Sequence, residues 1–486
     1  MGAENKLKVL LTASEMVPFA KTGGLADVAG SLPKALSDLG NVDLITVIPR
    51  YGFIDDAKFG LKDASDKVAF VMSGTPYEVK VKYTELGWKA YLIENEGIMG
   101  RDEMYGYDDD AYRFAFFARA VLELAKILDF KPDVIHCNDW HTGMIPVYLK
   151  TMYRDDPFFK DTATVFTVHN LGYQGIFSKE LLPFLDIGWE EFKMEKLEFW
   201  DNINFIKGGL AYADAINTVS REYSKEIQSP QYGEGLDGLL SYRKDVLYGI
   251  VNGLDYEVWN PATDRAIVRN YDASSIEKKI ENKIALQKEI GVPQNPQTPM
   301  ISIVSRLSYA KGLDMIAYAM HDISSLGVQL VLQGTGEGYY HELFQKLAHD
   351  FPENLHANLT FNDARARRIY AGSDMFLMPS RYEPCGLSQL ISMRYGTIPI
   401  VHRTGGLADT VQEYDPGTGQ GTGFLFEEES PAALISAVKK ALSVYFDKDN
   451  WRKLILNAME ADFSWKKSAK EYVGLYKKAT QIHAGS

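Results

Sequence analysis

The sequence predicts an α/β protein of two doubly wound domains, mainly parallel in their sheets, facing each other across a deep cleft. Three observations carry that reading. Short β-branched runs alternate with long helical patterns, a rhythm that implies βαβ units because parallel neighbours need a crossover connection. The rhythm occurs twice in a chain of 486 residues, a length that at roughly 150 residues per domain allows two or three domains. Each half also holds one copy of the string TGGLAD, within Lys21 to Leu32 and within Arg403 to Tyr414.

In the first half the strand runs are Lys8 to Ala13, Val42 to Ile48, Asp133 to Cys137, Ala163 to Val168 and Ala215 to Val219. Between Tyr112 and Leu128 the apolar residues Phe114, Phe117, Val121, Leu124 and Leu128 recur at helical spacing and mark a covering helix. The second half repeats the scheme at Met300 to Val304, Gln329 to Leu332, Asp374 to Met378, Ile398 to His402 and Gly423 to Phe426. Ser430 and Pro431, a cap residue and a first-turn proline, then open a helix through Leu442. Asn252 to Asp264 carries Asn-Gly, Asn-Pro and little periodicity. The domain junction is expected there, giving domains 1–252 and 253–465. Trp451 to His483 reads as helix after the second sheet is complete. Its last part, from about residue 466, either stays on the second domain or crosses back to the first; periodicity leaves both open.

Composition narrows the function. Hydrophobic residues make up 46% and charged residues 24%, enough apolar surface for large cores and no case for disorder. The net charge of −13 repels polyphosphate and anionic lipid over most of the surface, so nucleic acid is not an expected partner and any bound phosphate needs a local pocket. Cys137 and Cys385, the only two cysteines, suggest a reducing compartment rather than a disulfide framework. The apolar run Val9 to Leu11 is too short for a signal-peptide core, and no stretch approaches the roughly 18 residues of a membrane span, so a cytoplasmic enzyme is expected.

The TGGLAD copies each follow a strand and precede a helix, where paired glycines let a ligand approach the backbone and free N–H groups favour negative charge. Open α/β sheets bind ligands at the carboxyl ends of their strands, so two such loops are aimed at a common cleft. Three further loops follow strands: His169 to Gly175, Arg306 with Lys311 and Gly312, and Pro379 to Gly386. A guanidinium fork and an ammonium beyond one strand can hold a diphosphate without metal. Gly334 to Gly338 is half of a dinucleotide fingerprint and lacks its full spacing. Asp108, Asp109 and Asp110 precede an amphipathic helix, where the dipole favours acids; a helix start explains them better than a metal, and they are expected to tolerate Asn. His136 and His141 lack a third zinc ligand.

Taken together, KTGGLADV, FTVHNLGYQG, VNGLDYEVWNP, SRLSYAKGLD, PSRYEPCGLSQL and RTGGLADTV resemble the bacterial glycogen synthases and plant starch synthases. These are retaining glucosyltransferases of the type B fold, with two Rossmann-like domains. The resemblance runs from about Leu7 to Trp465, in family order and spacing. It implies transfer of glucose from ADP-glucose to the non-reducing 4-hydroxyl of an α-1,4-glucan (glycogen or starch), with ADP released, no cofactor and no metal.

On this resemblance Arg306 and Lys311 match the diphosphate-binding pair, and Glu383 the essential carboxylate of an EX7E pattern whose second acid is here Ile391. Lys21 matches the lysine of the first glycine loop, and His169 the histidine whose main-chain carbonyl faces the anomeric carbon. Gly23, Gly24, Asp27 and Asn252 fall on cleft-lining positions, with Cys385, Gly386 and Leu387 beside Glu383 on the donor side. Thr404, Gly405 and Gly406 form the second phosphate loop, and Phe361 takes an adenine-stacking position usually held by Tyr. Tyr105, Asp139 and Tyr173 fall on the acceptor side. Lys311 is expected to lack a charged partner until donor binds, and the two domains are expected to close on it. The rival readings are a UDP-glucose enzyme making sucrose or trehalose phosphate, and a silent glucan-binding scaffold. The double TGGLAD opposes the first. The presence of Lys21, Arg306, Lys311 and Glu383 opposes the second.

Overall fold

The computed structural model describes residues 6–64 and 67–485. It divides into two compact units, Met1–Gly253 with Trp465–Ser486, and Leu254–Ser464.

The first unit carries a ten-stranded sheet. Its parallel strands lie in the order Leu247–Gly249, Ala215–Thr218, Ala163–Val168, Val134–Asn138, Leu7–Thr12, Val42–Pro49 and Lys89–Glu94. Strands such as Ala163–Val168 and Val134–Asn138 are buried at every residue, which is why they read as unbroken apolar runs. The winding reverses between Leu7–Thr12 and Val134–Asn138, and the carboxyl ends of such neighbours open onto a crevice. Beyond Lys89–Glu94 the sheet turns antiparallel through Thr75–Glu85, with Val68–Met72 paired to it. The sequence reading missed this hairpin, although Val79 and Val81 alternate with lysines and Ser73-Gly74, at φ 50° and 74°, supply its turn.

The second unit holds a six-stranded, wholly parallel sheet in the order Leu355–Asn358, Gln329–Gln333, Met300–Val304, Met375–Met378, Ile398–His402, Phe424–Phe426. Numbered along the chain this is 3-2-1-4-5-6, the order of dinucleotide-binding folds, with its switch point between Met300–Val304 and Met375–Met378. Ser430 caps the helix Pro431–Phe446, one turn longer than read from sequence, by accepting from the Ala433 N–H at 3.2 Å.

The expected single helix from Trp451 to His483 is two helices, Lys448–Glu460 and Trp465–Ala484. Residues 461–464 break it: the Asp462 carboxylate takes the Ser464 N–H at 2.9 Å, and the Phe463 carbonyl accepts from Leu254 at 2.7 Å. The last helix belongs to the first unit. Trp465, Tyr472 and Tyr476 sit in its core, and the Tyr476 hydroxyl meets His136 Nδ1 at 2.9 Å. Gly253, where the chain leaves that unit, passes so close to Trp465, where it returns, that a Cβ would lie 2.5 Å from the Trp465 Cα.

Candidate active site

In the second unit the switch-point strands deliver two loops to one cavity of about 170 Å³. From Met300–Val304 come Arg306 and, in a short turn, Lys311. From Met375–Met378 come Ser380, Glu383, Gly386 and Leu387, which complete the lining. Gly312, at φ +65°, lets the loops touch; a Cβ there would lie 2.0 Å from the Pro379 carbonyl oxygen. Arg381 fastens them further: its guanidinium donates to both Asp314 oxygens at 2.8 and 2.7 Å and to the Tyr309 carbonyl at 2.8 Å, and stacks 3.8 Å from the Tyr309 ring centre.

Within the cavity the Lys311 ammonium donates to Glu383 Oε2 at 2.6 Å, and the Ser380 hydroxyl to the same oxygen at 2.9 Å. Lys311 therefore has a charged partner before any ligand arrives, contrary to the sequence expectation. The Arg306 guanidinium has no hydrogen bond or ion pair among the described residues and is exposed at the cavity mouth. A desolvated carboxylate, a cation bound to it and a second uncommitted cation form a local positive site on an acidic protein. Such a site accepts a dianion.

The second TGG loop, Thr404 to Gly406, packs against the Glu383 loop. Gly406 donates its N–H to the Glu383 carbonyl at 2.9 Å, and a Cβ at Gly406 would lie 2.0 Å from the Cys385 carbonyl oxygen. The following helix, Gly405–Thr410, is six residues long. Gly406 thus clamps the Glu383 loop, and Thr404 is buried. Cys385 is buried behind the cavity. Phe361 stands apart, 81% exposed beyond Leu355–Asn358 and outside the cavity lining.

In the first unit three adjacent strands end together. After Val134–Asn138, Asp139 adopts φ +55° and accepts the N–H groups of His169, at 2.7 Å, and of Asn170. This turn holds the loop following Ala163–Val168 in place. The His169 ring meets Asn138 Oδ1 at 2.9 Å. Burial pushes the Asp139 carboxyl up to about 7 and the His169 imidazole down to about 3, so the histidine is neutral at physiological pH. The Tyr105 hydroxyl meets Ser14 Oγ at 2.8 Å, and its ring lies 4.5 Å from that of His141. Tyr173 is 57% exposed on the His169 loop. Asn252 is buried, and its Oδ1 lacks a hydrogen-bond partner among the described residues.

The first TGG loop is already filled. The Glu15 carboxylate, beyond Leu7–Thr12, accepts the Thr22 N–H, the Thr22 hydroxyl at 3.0 Å and the Gly23 N–H at 3.3 Å. The N–H groups expected to await a ligand phosphate hold the protein's own carboxylate, which burial shifts above its usual range. Gly23 caps the helix Gly24–Asp38, and Lys21 pairs with Asp27 at 2.7 Å while staying half exposed. Sequence reasoning missed Glu15 and Ser380. An acid between a strand end and a glycine loop was the signal for Glu15; nothing local marks Ser380.

The acidic run before the covering helix is structural. Asp110 begins the helix Asp110–Ile127, accepts the N–H groups of Gly106 and Tyr107, and pairs with buried Arg113. His136 is committed through both ring nitrogens, to Tyr476 and Thr167.

A doubly wound sheet with a cationic cavity at its switch point, in a chain whose other α/β unit carries its own glycine loop, points to a nucleotide-sugar-dependent glycosyltransferase of the type B fold. Residues 8–242 match the starch synthase catalytic domain and residues 258–457 the group 1 glycosyl transferases. The chain is 49% identical to a glycogen synthase of Desulforudis audaxviator over 98% of its length and 97% of that protein. It is 48% identical to a glycogen synthase of Thermotoga maritima over 97% and 99%. The solved catalytic domain of starch synthase IV from Arabidopsis thaliana, bound to ADP and acarbose, superposes with a TM-score of 0.90 at 32% identity, covering 98% of this chain and 100% of that one. A sucrose-phosphate synthase from Thermosynechococcus elongatus shares the fold, with a TM-score of 0.59 at 17% identity. The chain belongs to the glycogen and starch synthase family of glucosyltransferases and takes a nucleotide-sugar donor and a glucan acceptor. Among the described residues no helix is long and apolar enough to cross a membrane.

Proposed function

We propose that this synthase transfers glucose from ADP-glucose to the non-reducing 4-hydroxyl of an α-1,4-glucan, retaining configuration and releasing ADP, in the cytoplasm and without metal. The observation that carries the reading is the cavity where Lys311 and Arg306 converge beside Glu383. Breaking the glycosidic bond leaves negative charge on the diphosphate and positive charge on the sugar. Donors aimed at the leaving oxygens stabilise that transition state more than the ground state. Arg306, free of protein partners, takes one phosphate, and the Lys311 ammonium turns part of its hydrogen bonding from Glu383 to the other. Glu383, so released, faces the sugar as positive charge grows there. The exposed Lys21 is the first unit's cation for the donor phosphate, and Asp27 and Asn252 contribute polar groups on the same side.

Glu15 already occupies the amides of the first glycine loop, so Lys21 rather than those amides meets the diphosphate. Leu387 and Gly386 line the cavity under the sugar with Cys385 beside them in sequence, Thr404, Gly405 and Gly406 serve as the second phosphate loop, and Phe361 offers an exposed ring face to adenine. His169, neutral and fixed by Asn138, presents its main-chain carbonyl to the anomeric carbon. Tyr105, Asp139 and Tyr173 receive the acceptor. With no nucleophile assigned to the opposite face, the hydroxyl attacks from the leaving-group side and the departing phosphate takes its proton. The net charge of −13 supports the absence of a nucleic-acid partner, and a chain with only two cysteines, both buried, supports a reducing compartment. Initial rates with ADP-glucose and UDP-glucose, each with glycogen as acceptor, test the reading; a preference for UDP-glucose overturns the donor assignment.

A further inference from the structure

The second unit holds another cavity, of about 250 Å³, at the opposite end of its sheet from Arg306 and Glu383. Asp374, which lies just before Met375–Met378 and accepts the Met300 N–H at 2.8 Å, places it at the amino ends of the strands. It shares no lining residue with the cavity at the carboxyl ends.

Three lysines reach this cavity, and they are not alike. Lys283, 2% exposed, is paired with Asp374 at 2.7 Å. Lys279, 8% exposed, has no carboxylate within ion-pair distance among the described residues. Its ammonium donates instead to the Tyr370 and Ala371 carbonyls, at 3.1 and 2.8 Å, in the last turn of the helix Asp363–Gly372. It also donates to the Tyr395 carbonyl at 3.0 Å and to Thr397 Oγ1 at 2.8 Å. These acceptors use its protons without cancelling its charge, and burial holds its pKa down to about 7. Buried charges are otherwise found paired. Lys448, exposed on the rim, donates to the Tyr445 carbonyl at 3.0 Å and has no ion pair among the described residues. Glu277, also exposed, is the second acid of the lining. Three ammonium groups against two carboxylates leave the cavity one positive charge in excess.

Much of the lining is apolar. Trp451, Ile455 and Ile276 belong to it, each at most 9% exposed. A cavity of about 150 Å³ is enough for benzene, so this one has room for a ring bearing a small charged group.

We propose that this cavity binds a small organic monoanion, a carboxylate carried on a flat apolar ring. The carboxylate supplies the counterion that Lys279 and Lys448 lack, and the ring packs on Trp451 and the isoleucines. One negative charge balances the excess, whereas a phosphate dianion overshoots it. A neutral sugar would leave both the lysines and the apolar lining unserved, so the ligand is neither the donor nor the glucan. The proposal is independent of the functional reading above.

Benzoate is the probe, titrated calorimetrically into the full chain. One site is expected, with a Kd at or below about 1 mM, in keeping with so small a ligand. Acetate, which lacks the ring, and benzyl alcohol, which lacks the charge, are expected to bind at least tenfold more weakly. Lys448→Glu places an acid at the first position of the helix Lys448–Glu460, where the dipole favours it, so this variant is expected to fold. It is expected to lose at least fivefold in affinity for benzoate while its affinity for ADP stays within twofold. Saturating ADP should leave benzoate binding unchanged. No binding at about 10 mM benzoate overturns the site. So does equal binding of acetate or benzyl alcohol, or a Lys448→Glu variant that binds benzoate like wild type. Competition by ADP would place benzoate in the carboxyl-end cavity and overturns it too.

Discussion

The Lys311 ammonium and the Glu383 carboxylate, 72 residues apart, form a 2.6 Å ion pair with only 19% and 10% of their side chains exposed. Each holds the other in place. In the reaction proposed above Lys311 serves the diphosphate and Glu383 the sugar, which would make the pair a preorganised charge separation that the donor completes.

Lys311→Ala is expected to lower kcat by about 10² to 10³, the usual cost of losing one electrostatic contact to the transition state. Because Glu383 would be left largely buried with only Ser380 to satisfy it, the variant is also expected to lose about 1–3 kcal/mol of stability. Glu383→Gln keeps the shape and is expected to lose rate with a smaller loss of stability. Steady-state kinetics beside thermal denaturation separate the two effects. A folded Lys311→Ala enzyme with more than about a tenth of wild-type kcat, a loss under roughly 1.4 kcal/mol, rules out the assigned role. Arg381→Ala is the contrast: loss of the Asp314 and Tyr309 bonds should lower the melting temperature more than the rate.

Glu15→Ala empties the first glycine loop and leaves the Thr22 and Gly23 N–H groups without their acceptor. A loss of about 2 kcal/mol is expected, and a higher KM for donor as Lys21 loses its support. Glu15→Gln, which still offers one oxygen, should recover most of both. Equal melting temperatures for wild type and Glu15→Ala would show that the carboxylate does not hold the loop.

Activity is expected to survive excess EDTA, because Arg306 and Lys311 supply the positive charge at the diphosphate. Magnesium-dependent rescue of an EDTA-inactivated enzyme would contradict this. Asp108→Asn is expected to be silent at an exposed position. Asp110→Asn is not, because it weakens the bonds to Gly106, Tyr107 and buried Arg113, and its effect should appear as lost stability with or without metal. The expected tolerance of the whole acidic run therefore fails at Asp110 for a structural reason.

His483, on the last helix, faces the Asp214 carboxylate at 3.2 Å and the Lys160 carbonyl at 3.0 Å, with Lys150 also on Asp214. The hydrogen bond to Asp214 raises its pKa above the ordinary 6.5 despite partial burial. Its contribution to stability is therefore complete below about pH 6.5 and is lost as pH rises through the higher folded value. His483→Gln should lower the melting temperature at pH 6 and have little effect at pH 9. An equal shift at both values would mean that the pairing carries no charge.

Apolar runs buried on both faces make the parallel strands of the two sheets readable from the sequence, together with the loops at their carboxyl ends. The sequence also marked Arg306, Lys311, Glu383 and the glycine loops as chemistry-bearing, because charged residues and glycine loops at the carboxyl ends of parallel strands lie where open α/β sheets bind ligands. The antiparallel hairpin was missed, although the alternation around Val79 and Val81 marks it. Which of these residues meet is set by folding. Glu15 fills the first glycine loop, Gly406 is spent on the Glu383 backbone, Lys311 is paired without ligand, and the last helix returns to the first unit. Periodicity reports which face of an element is buried, whereas these contacts join residues up to hundreds of positions apart, such as His136 and Tyr476. Their geometry exists only once the crossovers have set the strand order.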